Sequence, residues 1–424
     1  MKKYLMLLLV MTLIIGSGST ARAQIEEDEF GVVQEEEISC APDSLDTVYD
    51  SKDYGEVDSE MIRQWYSFGS EYYKNKNYKA ALPYLWKVFI SDSAKYGRNA
   101  IRKIADSYFK MQKADSTFIA CYRGLVRYPD HVVLHYFVGF LQDNLGNVAC
   151  AIPHYEALLR DNPEKEEYME KLAFLYYKRK DEKAIEVQKK LSTLYPENSK
   201  YANDLAIFTE HFYGKGSGLE AYKQAWENDP ENMDLALKYG ESCHQNGNYV
   251  EALIPLNKVI AKDPANVKSL RLIALCNESL EKYSPAIEEY KKILQAEPND
   301  VDIMCAIAVD YKILNQFSNG RYWVNKALSV KPGYGKAYIV MAQIYESSVI
   351  FCQDKSDRKR KYDDGLVYEL AMDEYRKAMN DSNFKSDARR NMNNLKPYLP
   401  TDEEKFMNQN RKTLKEPCYT SWIN

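Results

Sequence analysis

The chain has 424 residues, a formal net charge of −5, 45% hydrophobic residues and 28% charged residues. This composition is typical of a globular protein and too hydrophobic for a wholly disordered one. The mildly negative charge gives no support for nucleic-acid binding by the whole chain. With 35 tyrosines but only 5 histidines, the chain has little material for histidine-based metal or acid–base chemistry.

The N-terminus has the pattern of a secretory signal peptide over residues 1–23. Lys2 and Lys3 precede a mostly apolar run over residues 4–15, and small residues follow up to Ala23. This run is too short to span a bilayer, which needs about 20 residues. We expect cleavage after Ala23, export to the periplasm or envelope, and no transmembrane segment in the mature chain. An uncleaved membrane anchor is the alternative.

The next segment, residues 24–58, holds 13 acidic residues and one basic residue, Lys52. Its few large apolar groups predict an acidic, disordered lead. Residues 59–424 carry 53 basic and 49 acidic side chains. The small total charge therefore combines a strongly acidic segment with a slightly basic remainder.

The rest of the chain is organised by a repeat, because seven prolines recur at intervals of 33 or 34 residues. These prolines are Pro129, Pro163, Pro196, Pro230, Pro264, Pro298 and Pro332. Between them, apolar residues recur at spacings of three and four, as expected for amphipathic helices. A fixed period of this length predicts stacked helical repeats.

The pattern within each period resembles the tetratricopeptide repeat. In residues 62–95 the signature positions hold Trp65, Phe68, Gly69, Tyr72, Ala81, Leu85 and Val88. A small residue recurs at the eighth position of the repeats, as Gly69, Ala105, Gly139, Ala173, Ala206, Gly240, Ala274, Ala308 and Ala342. The resemblance implies that the two helices of a repeat touch at this position. It predicts an all-α fold, an α-solenoid of about nine repeats over residues 59–383.

The ninth repeat departs from the pattern, because an insertion at about residues 347–365 separates its two helical segments. We expect the second helix to resume at Ala371. The insertion carries a run of basic residues, which predicts either a solvated loop or a contact for an acidic partner or for the chain's own acidic lead. Residues 384–424 predict a capping helix, a short helix begun by a capping box of Thr401 and Glu404, and a tail that either folds back or stays loose.

Eight cysteines are present, and none forms a CxxC pair. Five fall in or beside predicted repeat helices and are expected to be small buried apolar side chains: Cys121, Cys150, Cys243, Cys276 and Cys305. Cys352 lies in the insertion and Cys418 in the tail. A disulfide between these two is one alternative in an oxidising compartment, and two free thiols are the other.

Candidate chemical sites are weak. The pairs His131/His135 and His211/His244 have spacings that suit metal ligands, but no further ligand pattern accompanies them. Residues 214–218 combine glycines with a lysine and a serine, but the spacing is not that of a phosphate-binding loop. We therefore predict no catalytic residues, no cofactor and no metal.

The resemblance implies that the first helix of each repeat lines a concave groove that binds a peptide or helix. In the first four repeats the implied groove positions hold Tyr66, Tyr73, Arg102, Phe109, Tyr136, Phe140, Phe174 and Tyr177. Aromatic residues are typical of protein-recognition surfaces, and packing inside the solenoid is the alternative. The Lys and Asn of the chaperone-binding clamp are absent, because the corresponding positions hold Tyr66 and Ser70, then Arg102 and Asp106.

The sequence thus predicts a non-catalytic protein–protein interaction scaffold of the bacterial envelope. Two alternatives remain: a structural repeat protein that associates with itself, and an accessory subunit of an envelope enzyme. The sequence does not determine the protein partner, the segment bound or the oligomeric state, and it predicts no nucleic-acid ligand.

Overall fold

A computed structural model describes residues 39–92 and 94–423. Over these residues the chain forms 21 α-helices and no strand, so the predicted all-α fold is confirmed. The signal peptide predicted for residues 1–23 and the first part of the acidic lead lie outside the described residues.

The first 18 helices form nine consecutive pairs, and each helix packs against the next one in the chain. The first helices of the pairs are α1 (Ser59–Lys74), α3 (Gly97–Lys110), α5 (Val132–Asn144), α7 (Glu166–Lys178), α9 (Ser199–Tyr213), α11 (Met233–Gln245), α13 (Val267–Ser279), α15 (Val301–Ile313) and α17 (Gly335–Lys355). The second helices are α2 (Tyr78–Ser91), α4 (Ala114–Arg127), α6 (Val148–Asp161), α8 (Lys183–Leu194), α10 (Leu219–Asn228), α12 (Tyr249–Lys262), α14 (Tyr283–Ala296), α16 (Phe317–Val330) and α18 (Tyr362–Ala378). This arrangement confirms the predicted solenoid, in which each repeat buries its apolar face against its neighbours.

The residues that follow the repeated prolines explain where many of these helices begin. Two residues after the proline stands an Asn or Asp whose side chain accepts a hydrogen bond from a backbone N–H in the first turn of the next helix. Asn232 caps α11 in this way, Asn266 caps α13 and Asp300 caps α15. The proline disfavours continuation of one helix, and the capping residue starts the next.

The small residue at the eighth position lies where the two helices of a repeat touch. At Gly240 on α11, an added Cβ would lie 2.6 Å from Cγ of Leu256 on α12. This distance is far below an ordinary carbon–carbon contact of about 3.5–4.0 Å. The expected reason for the small residue is therefore confirmed at this repeat.

Residues 39–58, called the strap below, are not a disordered segment in the structure. Cys40 forms a disulfide with Cys150 on α6, and the ring of Tyr49 stacks on Trp86 of α2 with centroids 5.7 Å apart. The strap therefore crosses from the third repeat back to the first. Here the structure differs from the disordered lead that the sequence predicted. The amino-acid composition of a segment does not show that it is bonded through a disulfide to a distant helix.

Electrostatic contacts also hold the strap. Nη1 of Arg123 on α4 donates to Oδ2 of Asp50 at 2.5 Å, and this bond is the main cause that lowers the pKa of Asp50 to about 2. The prediction for Cys150 is wrong: its side chain is buried, but it is half of a disulfide rather than a small apolar residue. Cys121, Cys243, Cys276 and Cys305 are free and buried, as predicted.

The insertion lengthens the ninth helix pair instead of forming a long loop. Helix α17 continues to Lys355, and α18 begins at Tyr362 rather than near Ala371 as predicted. Three cations of the basic run pair within the chain: Arg358 with Asp364 at 2.7 Å, Arg360 with Glu404, and Lys361 with Glu416 at 2.8 Å. These cations are therefore engaged by the C-terminal part of the same chain.

The C-terminal end covers the last repeats. Helix α19 (Lys385–Leu395) follows α18, and α20 (Asp402–Met407) begins with the predicted capping box of Thr401 and Glu404. The tail, residues 417–423, contains the short helix α21 (Pro417–Thr420) and folds back. Its course is fixed by a Cys352–Cys418 disulfide and by Trp422, whose ring lies 5.6 Å from those of Phe317 and Tyr345.

Candidate functional site

The first helices of successive repeats lie side by side. Helix α1 contacts α3, α3 contacts α5, α11 contacts α13, and α15 contacts α17. Among the described residues, the second helices of successive repeats do not approach each other to the same extent. At these four junctions the repeats approach more closely along their first helices than along their second helices, as expected when the first helices form the concave side of a solenoid.

The eight residues predicted to line the groove all lie partly exposed on first helices α1, α3, α5 and α7. Phe174 is exposed at 44%, and the other seven are half-buried. None belongs to the fully buried core. The structure therefore places these side chains on an accessible surface, called the inner surface below, where they form three clusters.

The first cluster surrounds Lys103 on α3. Its Nζ lies 4.4 Å from the ring centre of Tyr66 and 5.8 Å from that of Tyr73, and it donates to Oγ of Ser70 at 2.6 Å. Tyr73 donates to Asp106 at 2.5 Å, and burial is the main cause that raises the pKa of Tyr73 to about 12. Both tyrosines are thus held in place by charged neighbours on the next repeat.

The second cluster is apolar and joins the second repeat to the third. Phe109 on α3 stacks on Phe137 of α5 at 4.8 Å and meets the edge of Phe140 at 5.7 Å. Tyr136 stacks on Phe140 at 6.1 Å. These four rings form one continuous surface, of which Phe137 is the buried base.

The third cluster lies between α7 and α9. Tyr177 stacks on Phe174 at 6.5 Å and on Phe208 at 4.3 Å, and His211 packs against its edge at 4.9 Å. Phe174 and Phe208 line a cavity of about 410 Å³ together with polar residues that include Asp204. Burial raises the pKa of Asp204 at this wall. The cavity combines an aromatic wall with a charged rim.

Sequence reasoning missed several residues of these clusters. Phe208 belongs to the fifth repeat, beyond the four repeats whose groove positions were considered. Lys103 and Asp204 stand one position away from the implied groove positions. No sequence signal distinguishes Lys103, since adjacent cations on helices also occur at 189–190, 291–292 and 376–377.

The histidines considered as ligands have other contacts. Nδ1 of His135 lies 2.9 Å from Nδ1 of His154, and Nε2 of His135 donates to the carbonyl of Pro129 at 2.8 Å. Burial lowers the pKa of His154 to about 4, so this side chain is neutral at pH 7. His244 packs against Tyr249 at 5.7 Å. Within residues 39–92 and 94–423, no group of three or more His, Cys, Asp or Glu side chains is arranged to hold a metal ion.

The structure also describes the glycine-containing segment 214–218 and the apolar character of the helices. Residues 214–218 form the turn between α9 and α10. In the part of the chain that the structure describes, no helix combines the length and the apolar character that crossing a bilayer requires.

A comparison with known protein families agrees with this architecture. A family model described as tetratricopeptide repeat matches residues 216–267. The BBSome complex member BBS4 of Bos taurus is 22% identical over 192 residues, which cover 44% of this chain and 35% of that protein. This chain thus spans about a third of the length of that curated relative.

Similar solved structures include the complex of Naa15/Naa10 bound to HypK-THB, with 15% identity, a TM-score of 0.49, and coverage of 76% of this chain and 52% of that one. A MamA protein structure has 19% identity, a TM-score of 0.36, and coverage of 45% and 95%. A tetratricopeptide repeat protein from Parabacteroides merdae ATCC 43184 has 12% identity, a TM-score of 0.27, and coverage of 68% and 99%.

The period, the paired helices and the family-model match together define the class of this protein. The chain is a tetratricopeptide repeat protein. Proteins of this class are generally non-catalytic scaffolds for interactions with other proteins.

Proposed function

We propose that this chain is a protein–protein interaction scaffold of the bacterial envelope, and that its inner surface binds an extended peptide or a helix of a partner protein. The observation that carries the proposal is the row of aromatic side chains from Tyr66 to Tyr177. These rings are held by neighbouring side chains yet remain partly exposed. Ordered aromatic surface gives a large contact area at a low entropic cost on binding.

The cavity between α7 and α9 supplies the anchor point of this proposal. Its volume of about 410 Å³ is suited to one large apolar side chain of a partner. Phe174 and Phe208 form its apolar wall, and the ion pair of Lys200 with Glu170 lies at its rim. An apolar anchor inside a polar rim is the usual arrangement of a binding hot spot.

Export to the envelope is supported by the signal-like N-terminus and by two disulfides among the described residues, Cys40–Cys150 and Cys352–Cys418. Disulfides persist in oxidising compartments and are rare in the cytosol. Fractionation of cells that produce the full chain tests this part. Recovery in the periplasmic or envelope fraction is expected, and recovery of the intact 1–424 chain in the cytosol contradicts it.

Site-specific photo-crosslinking in cells tests the surface itself. A crosslinking amino acid replaces Phe174 on the inner surface or Tyr322 on α16, which is 61% exposed and serves as the matched control. We expect one or a few proteins to be trapped from Phe174 and not from Tyr322. Trapping of the same proteins at both positions, or at neither, overturns the assignment of the inner surface.

Self-association is the second candidate function, because one end of the stack exposes aromatic residues. Phe68 is 55% exposed and Tyr72 is 38% exposed on α1, which no earlier repeat covers in the described chain. The alternative route through Trp422 has less support, since the tail packs on its own chain. Light scattering during size-exclusion chromatography distinguishes these functions: a dimer that Phe68→Ser dissociates favours self-association.

A further inference from the structure

Ion pairs between neighbouring repeats neutralise several cations of the first helices from the fourth repeat onwards. In each pair a lysine of one first helix meets a carboxylate of the preceding first helix. These pairs are Lys171–Asp143 at 2.8 Å, Lys200–Glu170, Lys268–Glu241 at 2.6 Å and Lys336–Asp302 at 2.7 Å. Along this part of the inner surface, charge is largely balanced within the chain.

The second repeat breaks this rule at two adjacent cations, Arg102 and Lys103. Lys103 is the one buried lysine or arginine among residues 39–92 and 94–423, with 9% exposure. Its ammonium meets the hydroxyls of Ser70 and Tyr66, at 2.6 and 3.2 Å, and no carboxylate. Burying an ammonium without a carboxylate is costly, because the lost hydration is only partly replaced.

Arg102 is half-buried and makes no ion pair in the described part of the chain. The nearest acid on its own helix, Asp106, is already bonded to Tyr73 at 2.5 Å and lies 3.9 Å from Lys110. An unpaired guanidinium is well suited to a carboxylate, which it binds through two parallel hydrogen bonds. Among the described residues, neither Arg102 nor Lys103 therefore makes an ion pair with a carboxylate.

The chain itself carries a segment of matching charge. Residues 24–38 contain seven acidic residues and no basic one, together with Phe30 and several apolar residues. Three of the cations that the acidic lead could meet in the basic run are occupied, because Arg358, Arg360 and Lys361 pair with Asp364, Glu404 and Glu416. Arg102 and Lys103 remain as an unpaired group on the surface that binds partners.

The covalent tie of the strap brings this segment within reach. The carbonyl of Cys40 accepts a hydrogen bond at 2.9 Å from Gln142, near the end of α5. Arg102 lies near the start of α5, where its charge adds to burial and to Arg98 in lowering the pKa of His131. The two ends of α5 are about 16 Å apart along the helix axis. Residues 24–38 span up to about 50 Å when extended.

We propose that residues 24–38 of this chain bind at Arg102 and Lys103, where they compete with acidic partner segments. This inference rests on the binding role proposed for that surface. A tethered segment acts at a high effective concentration, so weak contacts suffice to hold it. Because the contacts are ionic and partly exposed, added salt weakens the occupancy.

The test uses the full chain and a fluorescein-labelled peptide of residues 24–38, whose binding is followed by fluorescence anisotropy. In one full-length variant, the seven acidic residues of this segment are replaced by the corresponding amides. We expect this variant to bind the peptide about tenfold more tightly than the unmodified chain, because its own segment no longer competes. Equal binding by the two chains overturns the proposal.

Substitutions in the amide variant identify the site. Arg102→Gln is expected to weaken peptide binding about tenfold, whereas Arg102→Lys keeps the charge and most of the binding. Lys171→Gln removes a cation that is already paired and is the matched control. Equal losses for Arg102→Gln and Lys171→Gln overturn the assignment, as does a failure of the amide variant to bind the peptide. Photo-crosslinking from Phe174 is independent of these outcomes, so the proposed function is tested separately.

Discussion

A buried pair of carboxyl groups offers the most quantitative test of the fold. Asp310 on α15 is 1% exposed, and its Oδ2 accepts no hydrogen bond within the described residues. Burial, with the nearby charge of Glu278 on α13, raises its pKa to about 8. Burial also raises the pKa of Glu278, which accepts a hydrogen bond from Tyr290 at 2.9 Å. At neutral pH, Asp310 is therefore protonated in the folded chain.

The magnitude follows from proton linkage. A carboxyl group whose pKa is raised on folding contributes stability that is present below its ordinary pKa and is lost as pH rises to the folded value. For Asp310 this window runs from 3.8 to about 8. Each pH unit inside the window corresponds to about 1.4 kcal/mol, and sharing of the proton with Glu278 reduces the effect. Between pH 6 and pH 8 we expect the free energy of unfolding to fall by about 2 kcal/mol.

The perturbation is the substitution Asp310→Asn. The new side chain does not titrate, and its amide is expected to donate a hydrogen bond to Glu278. Urea unfolding followed by circular dichroism at pH 6, 7 and 8 compares the two chains. From pH 6 to pH 8, the free energy of unfolding of the variant is expected to increase by about 2 kcal/mol relative to that of the unmodified chain. Asp302→Asn is the control: the ion pair with Lys336 lowers the pKa of Asp302, so its effect is constant over the same range. Parallel pH dependence of the unmodified chain and Asp310→Asn refutes the reasoning.

Three further outcomes are expected. Gly240→Ala destabilises the chain by about 1–3 kcal/mol in urea unfolding, because the new Cβ would overlap Leu256, although alanine occupies the equivalent position in several repeats; unchanged stability would contradict the close helix contact. Cys40→Ser frees the strap and makes it the first site of limited proteolysis, whereas the chain that retains the bond to Cys150 resists cleavage there. Tyr419→Phe removes a hydrogen bond to a buried carboxylate and lowers stability by about 1–3 kcal/mol, as a shift in the unfolding midpoint reports.

Much of the candidate site could be predicted from the repeat register, which is the position of each residue within its repeat. Once the period fixes which residue stands at which position, the implied groove positions of the first four repeats are known, and the structure leaves the eight side chains at these positions partly exposed. The register did not show which rings meet. Tyr177 stacks on Phe208 across two repeats, and that contact depends on how successive repeats are rotated, which the sequence pattern does not encode.

The sequence by itself determined the local architecture. The period, the prolines, the capping residues and the small residues such as Gly240 act over one repeat, so their consequences follow from spacing alone. The tertiary structure decided the contacts between distant segments. The tie of Cys40 to Cys150 spans 110 residues, and the tail reaches back from Trp422 to Phe317. The buried charge of Lys103 likewise depends on a neighbouring repeat. Such contacts depend on how the stack curves, and no short-range pattern records that curvature.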